Sequence, residues 1–123
     1  MLTSKRFSRR DREALGYNPN RDDDLFALTA DGYIIAQDIA CQHEYIYAQA
    51  CPHCGAASSL TPIASINRSF QGLNEMVARC THCNRPAGFI FDISNTRYQE
   101  WLAERMGDLY APVYDGPPRV PAA

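Results

Sequence analysis

Two Cys-x-x-Cys pairs, Cys51-Pro52-His53-Cys54 and Cys80-Thr81-His82-Cys83, constrain this chain more than any other feature. Two residues between the cysteines of a pair allow a tight knuckle with both sulfurs pointing the same way, and 25 residues separate the pairs. Four thiolates from two knuckles supply the tetrahedron of soft ligands that zinc prefers, with each sulfur about 2.3 Å from the ion. Gly55 and Asn84 follow the knuckles. That is where left-handed backbone is needed, and glycine and asparagine tolerate it best. Cys51, Cys54, Cys80 and Cys83 are therefore the candidate metal ligands.

A chain of 123 residues suits one domain. A domain of this size buries a smaller share of its surface than a larger one, and a metal centre is one of the staples small domains use. The cysteine count is five, and an odd number argues against a closed disulfide framework. Free cysteines in pairs suit a reducing compartment. No apolar run approaches the roughly 20 residues of a membrane span. The opening MLTSKRFSRRDREALG has charge with no apolar stretch behind it, unlike a secretory signal. A soluble, cytoplasmic protein is expected.

The net charge of −2 excludes a global basic field for nucleic acid, but its distribution is uneven. Lys5, Arg6, Arg9, Arg10 and Arg12 outnumber Asp11 and Glu13, whereas Asp22, Asp23, Asp24, Asp31, Asp38 and Glu44 outnumber Arg21. Two readings follow: the basic arm pairs with or is solvated beside its acidic neighbour, or it is a short phosphate-binding arm.

Ser8 with Asp11 forms a capping box for a short helix over 8–15, which Gly16 ends. Residues 1–23 then read as a basic arm with a helix and a turn-rich loop. Residues 24–39 read as a β-hairpin around Asp31-Gly32, and 44–50 as a strand leading into Cys51. Residues 63–70 and 73–80 read as strands joined at Gln71-Gly72. Arg85-Pro86 is a break before a last strand over 88–94. Tyr98, Trp101, Leu102, Met106, Leu109 and Tyr110 share one face of a helix over 96–110, with Thr96 and Gln99 as its capping box. Residues 24–110 are expected to form the single domain, and the proline-rich 111–123 an extended tail or linker. The expected fold is a small α+β domain: an antiparallel sheet with an N-terminal hairpin, a short N-terminal helix and a C-terminal amphipathic helix.

The knuckles and their flanking strands, over roughly residues 44–94, resemble the zinc-ribbon family, in which two knuckles at hairpin tips share one zinc. The resemblance implies Cys51, Cys54, Cys80 and Cys83 as ligands of a single structural Zn²⁺. It says little about the task, because the family hosts many. Rubredoxins, iron electron carriers, also use two such knuckles. Here the second knuckle ends in Cys83-Asn84 rather than Cys-Gly, and Phe70 is the one aromatic between the pairs, so iron is the lesser expectation.

Four thiolates on a divalent ion leave a charge of −2, which Arg79 and Arg85, beside the second knuckle, are placed to offset. His53 and His82 are surplus to a four-cysteine shell and are expected at the exposed knuckle tips, where they are candidates for contacting a partner. Cys41 precedes His43 in a Cys-x-His, read as a buried free thiol rather than half of a second metal site.

No phosphate loop, His-Glu-x-x-His helix or nucleophile elbow is present. Four cysteines would close the coordination shell that catalytic zinc keeps open. A zinc deaminase needs His-x-Glu, and here His43 and Glu44 are adjacent. The chain is thus expected to be no enzyme but a protein-interaction or scaffold subunit of a larger assembly. Lys5, Arg6, Arg9, Arg10, His53, His82 and Trp101 are its candidate partner-binding residues. The alternative is a nucleic-acid-binding ribbon in a transcription, translation or defence context. It would use the basic arm and exposed Tyr17, Tyr45 and Tyr47 for phosphate contacts and stacking.

Overall fold

In the computed structural model, residues 8–21, 26–112, 116 and 119–122 are described. The chain runs through α1 (Arg9–Leu15), β1 (Ile34–Ile35), α2 (Ile39–Ala48), β2 (Leu60–Arg68), β3 (Leu73–Cys80), β4 (Pro86–Asp92) and α3 (Thr96–Met106). The result is a mixed α+β domain whose sheet has the order β1-β4-β3-β2.

The hairpin β2–β3 turns at Gly72, which has φ 70°. There the single-residue left-handed step favours glycine. β3 pairs antiparallel with β4 from Arg79↔Pro86 to Leu73↔Asp92. Pro86 therefore opens a strand rather than breaking the chain, as proline can at a first strand position. β1 lies parallel to β4 through Ile34↔Phe91 and Ile35↔Asp92, so the sheet is mixed and not wholly antiparallel. The expected hairpin over 24–39 contracts to one bridge, Leu28↔Ile34, closed by Gly32 N–H to Thr29 O and Thr29 N–H to Tyr33 O. Asp24 and Leu25 lie outside the described residues.

The strand expected over 44–50 is instead the second half of α2. Asp38 caps this helix, its Oδ1 accepting from Cys41 N–H at 2.6 Å. Gln42 and Ile46, four residues apart, are both buried, and Gln42 accepts from Asn74 of β3 at 2.7 Å. Tyr45 meets Phe89 and Phe91 of β4 edge-on. As a strand, this segment would put Tyr45 and Ile46 on opposite faces. Burial of both sides of the stripe against one sheet overrides the β preference of Tyr and Ile.

α1 forms with both halves of the Ser8–Asp11 box and ends at left-handed Gly16. Asn95, not Thr96, caps α3 by accepting from Tyr98 N–H at 3.0 Å. This helix stops at Met106, and Gly107–Leu109 form one 3₁₀ turn. Tyr98 and Trp101 are buried, whereas Leu109 is 80% exposed. Trp101 packs edge-on against Tyr98 at 5.2 Å. A Cβ on Gly16 would come within 3.2 Å of its ring. The tryptophan is thus a core residue between the end of α1 and α3, buried rather than offered on the helix surface.

Tyr17 and Tyr45 are also not exposed stacking platforms. Arg21 lies over the Tyr17 ring at 4.6 Å, and Tyr45 belongs to the aromatic cluster on β4. The arm and its acidic neighbours pair: Arg12 with Glu44 at 2.9 Å, Arg21 with Glu44 at 2.8 Å and with buried Asp38 at 3.2 Å. Residues 119–122 are not a free linker, because Arg119 pairs with Asp31 at 3.0 Å and with Asp92 at 2.6 Å.

Candidate metal centre

Each knuckle is a loop closed by the same two backbone bonds. Cys51 N–H donates to Ala56 O at 3.0 Å and Gly55 N–H to Cys51 O at 2.9 Å. In the second loop Cys80 N–H donates to Arg85 O at 3.0 Å and Asn84 N–H to Cys80 O at 2.9 Å. Gly55 and Asn84 hold φ of 77° and 65°, the left-handed steps their positions led us to expect. The first loop is pinned at its base by the bridge Ala50↔Ala57, and the second by β3 and β4.

The loops bring the sulfurs of Cys51, Cys54, Cys80 and Cys83 within 4.8 Å of one another. Cys51 Sγ lies 3.7 Å from Cys83 Sγ, and Cys54 Sγ 3.6 Å from Cys80 Sγ. Four sulfurs bound tetrahedrally at about 2.3 Å lie about 3.8 Å apart. The donor set therefore fits a metal ion, and the chain carries a tetracysteine metal-binding site. No pair is disulfide-bonded.

Backbone amides already point at the sulfurs. His53 N–H donates to Cys51 Sγ at 3.3 Å, and His82 N–H and Cys83 N–H each donate to Cys80 Sγ at 3.3 Å. Burial works against a Cys80 thiolate, but the Ser59 hydroxyl and these two amides outweigh it and bring its pKa down to about 5. Burial also opposes the Cys51 thiolate, and the amides of Cys54 and His53 prevail, lowering its pKa. At Cys54 the Ala56 amide favours the thiolate, yet partial desolvation by its neighbours and the sulfurs of Cys80, Cys51 and Cys83 push it up to about 11. Four sulfurs this close repel one another as anions, and a shared divalent cation removes that conflict.

Cys51 and Cys80 are buried among Ile46, Leu60, Ala78, Ala87 and Phe91. Cys54 is exposed and Cys83 half-buried. The site thus sits at one end of the core, two ligands inside it and two at its rim.

Ser59 is the neighbour that nothing in the sequence singles out. It is buried, and its Oγ lies 3.2 Å from Cys80 Sγ. Its carbonyl also accepts Thr81 N–H at 2.8 Å, tying the end of the first loop to the second knuckle. Arg79 reaches the second loop but not a sulfur: Nη1 donates to Asn84 O at 2.8 Å. Arg85 is exposed and contributes its backbone carbonyl. His53 and His82 are exposed, and a ring nitrogen of His53 lies 3.0 Å from Pro86 O. Cys41 stands apart from the cluster in the core, and burial pushes its pKa up to about 11.

Of the basic arm, Lys5 and Arg6 lie outside the described residues. Arg9 pairs with Glu13 at 3.3 Å, and Arg10 is exposed. No helix among the described residues is long and apolar enough to cross a membrane. No family model, curated protein or solved structure matches the chain.

Proposed function

We propose that the four cysteines hold one structural zinc ion in a zinc-ribbon arrangement, and that the protein is a non-enzymatic interaction module within a larger protein assembly. The observation that carries this reading is the position of the sulfurs: a four-thiolate set with Cys51 and Cys80 buried in the hydrophobic core. Four cysteine ligands leave zinc no open position for substrate, so the ion serves the fold. Iron in the same shell, as in a rubredoxin-like carrier, is the alternative that metal analysis separates.

The interaction role draws on β2. It is an edge strand of the sheet, and Ile63 and Ile66 on it, with Phe70 just beyond it, are 51%, 44% and 71% exposed. Beside it a groove of about 520 Å³ is lined by Ile39, Pro62, Ile63, Met76 and Leu102 among others. Edge strands with apolar side chains are sites where another chain adds on. The arm's Arg12 is committed to Glu44 and Arg21 to Asp38 and Glu44, which weakens the nucleic-acid alternative.

The test is affinity purification of the full chain from its native host, beside an Ile66→Asp variant checked for equal metal content. A protein partner retained by the wild type and lost by the variant is the expected result. Salt-sensitive recovery of DNA or RNA, unchanged by Ile66→Asp, would replace the reading by nucleic-acid binding.

A further inference from the structure

Arg119 belongs to a segment with no helix or strand of its own, yet its guanidinium meets a dense set of acceptors. Nε donates to Asp31 Oδ2 at 3.0 Å and Nη2 to Asp31 Oδ1 at 3.3 Å, a two-pronged contact. Nη2 also lies 2.6 Å from Asp92 Oδ2. Nη1 faces the carbonyls of Gln71 and Gly72 at 3.4 and 3.3 Å. The group lies over the Tyr33 ring, 5.2 Å from its centroid. A planar fork of donors over an aromatic face is the chemistry of arginine and not of lysine.

The acceptors are held in place by the rest of the fold. Asp92 is buried at the end of β4, where its Oδ1 accepts from Ser94 N–H at 3.1 Å and Asn95 N–H at 2.9 Å, and its Oδ2 from Ser94 Oγ at 3.0 Å. Asp31 sits in the β1 turn and accepts from the Thr29 hydroxyl. The Gln71 and Gly72 carbonyls belong to the β2–β3 turn. The cradle is therefore built without the tail.

The tail's backbone is read as well. Tyr33 Oη donates to Val120 O at 2.6 Å, and Ala122 N–H donates to Asp31 O at 2.7 Å. Val120 itself is 77% exposed, so little apolar surface anchors the segment. The segment is therefore held by polar contacts rather than by apolar burial, contacts that a second arginine-bearing segment can reproduce one for one. Two carboxylates without a cation, one of them buried, are unfavourable, so a guanidinium is wanted there whichever chain brings it.

We propose that Asp31, Asp92, Tyr33 and the Gln71 and Gly72 carbonyls form a receptor for an arginine on an extended peptide segment, with Arg119 as its occupant in cis. The recognised pattern is an arginine, a carbonyl at the next residue and a free N–H three residues on, which excludes proline at that third position. The tail is then an exchangeable strap, and an arginine-bearing segment of a partner displaces it in trans. The tethered strap competes at high effective concentration, so the receptor shows itself only when Arg119 is removed.

The test uses the full-length Arg119→Ala chain and a labelled synthetic peptide, GPPRVPAA, the sequence of residues 116–123. NMR titration should shift the Tyr33, Gly72 and Asp92 amides of the variant at least tenfold more tightly than those of the wild type. A peptide with alanine for arginine should lose those shifts. Asp92→Asn in the Arg119→Ala background should abolish binding. Should that chain fail to fold, Tyr33→Phe, which removes one donor and keeps the ring, should weaken it severalfold. No shifts at the cradle, equal binding to wild type and variant, or indifference to the peptide's arginine would each overturn the proposal. Metal content is unaffected in every arm, so failure here is separable from failure of the zinc reading.

Discussion

Replacing Cys80 by serine removes one ligand from the buried side of the metal site. Cys80 is fully buried, pairs across the hairpin with Leu60 and belongs to the same core cluster as Ala78 and Phe91. Its sulfur lies 3.6 Å from that of Cys54 and 3.2 Å from Ser59 Oγ. Structural zinc contributes about 10–16 kcal/mol of apparent binding energy in small zinc peptides, against a net stability of about 5–15 kcal/mol for a whole domain. Losing most of the first term therefore removes all or most of the second, a loss of at least about 5 kcal/mol. The assay is urea unfolding at neutral pH followed by tryptophan fluorescence, because Trp101 sits in a core cluster separate from the one that holds Cys51 and Cys80, so its signal reports on the fold beyond the knuckles. The fifth cysteine supplies the control. Cys41→Ala deletes a buried thiol outside the metal site, and should cost about 1–2 kcal/mol with metal content unchanged. A Cys80→Ser chain that melts cooperatively within about 2 kcal/mol of wild type would refute the argument, since the strands and helices would then suffice without the ion.

Ser59→Ala should weaken metal affinity roughly 10-fold, as removal of a group behind a ligand does, measured by competition with a chelator. Trp101→Ala, at the contact of α1 with α3, should cost about 3–5 kcal/mol in urea unfolding while metal stoichiometry holds at saturating zinc. Asp38→Ala takes the N-cap from α2 and one of two carboxylates from Arg21, which keeps Glu44; a loss of about 2–4 kcal/mol is expected from the same unfolding assay. The Cys41 thiol predicts an alkaline effect. Its pKa, raised by burial to about 11 from 9.0, means the native chain keeps a proton that the unfolded chain gives up. Stability is full below pH 9 and falls as pH rises toward 11, by roughly 2–3 kcal/mol from this group. Cys41→Ala should remove that part of the slope in pH-dependent melts.

The site was legible in the sequence because its determinants are local. Two cysteines, the spacing between them and a residue that accepts positive φ are all contained in each knuckle, and the β2–β3 hairpin likewise carries its own turn at Gly72. α2 was not legible, since Tyr45, Ile46 and Tyr47 favour strands locally and the helix is decided by packing on β3 and β4. The one local sign was Asp38, whose capping bond to Cys41 marks the start. Ser59 and Arg119 were illegible for a different reason: their partners lie 21 and up to 88 residues away. Trp101 reads in sequence as a candidate binding residue on an amphipathic helix; its packing against Tyr98 and Ile93 and the approach of Gly16, 85 residues earlier, make it core.

The central claim is one structural zinc ion on Cys51, Cys54, Cys80 and Cys83. Its most direct test is elemental analysis of the natively purified protein, with its visible absorption spectrum and a chelator melt on the same sample. One zinc per chain, no colour, and loss of the cooperative melt on chelation is the predicted result. A coloured protein carrying iron, or a metal-free chain that still unfolds cooperatively, would contradict it.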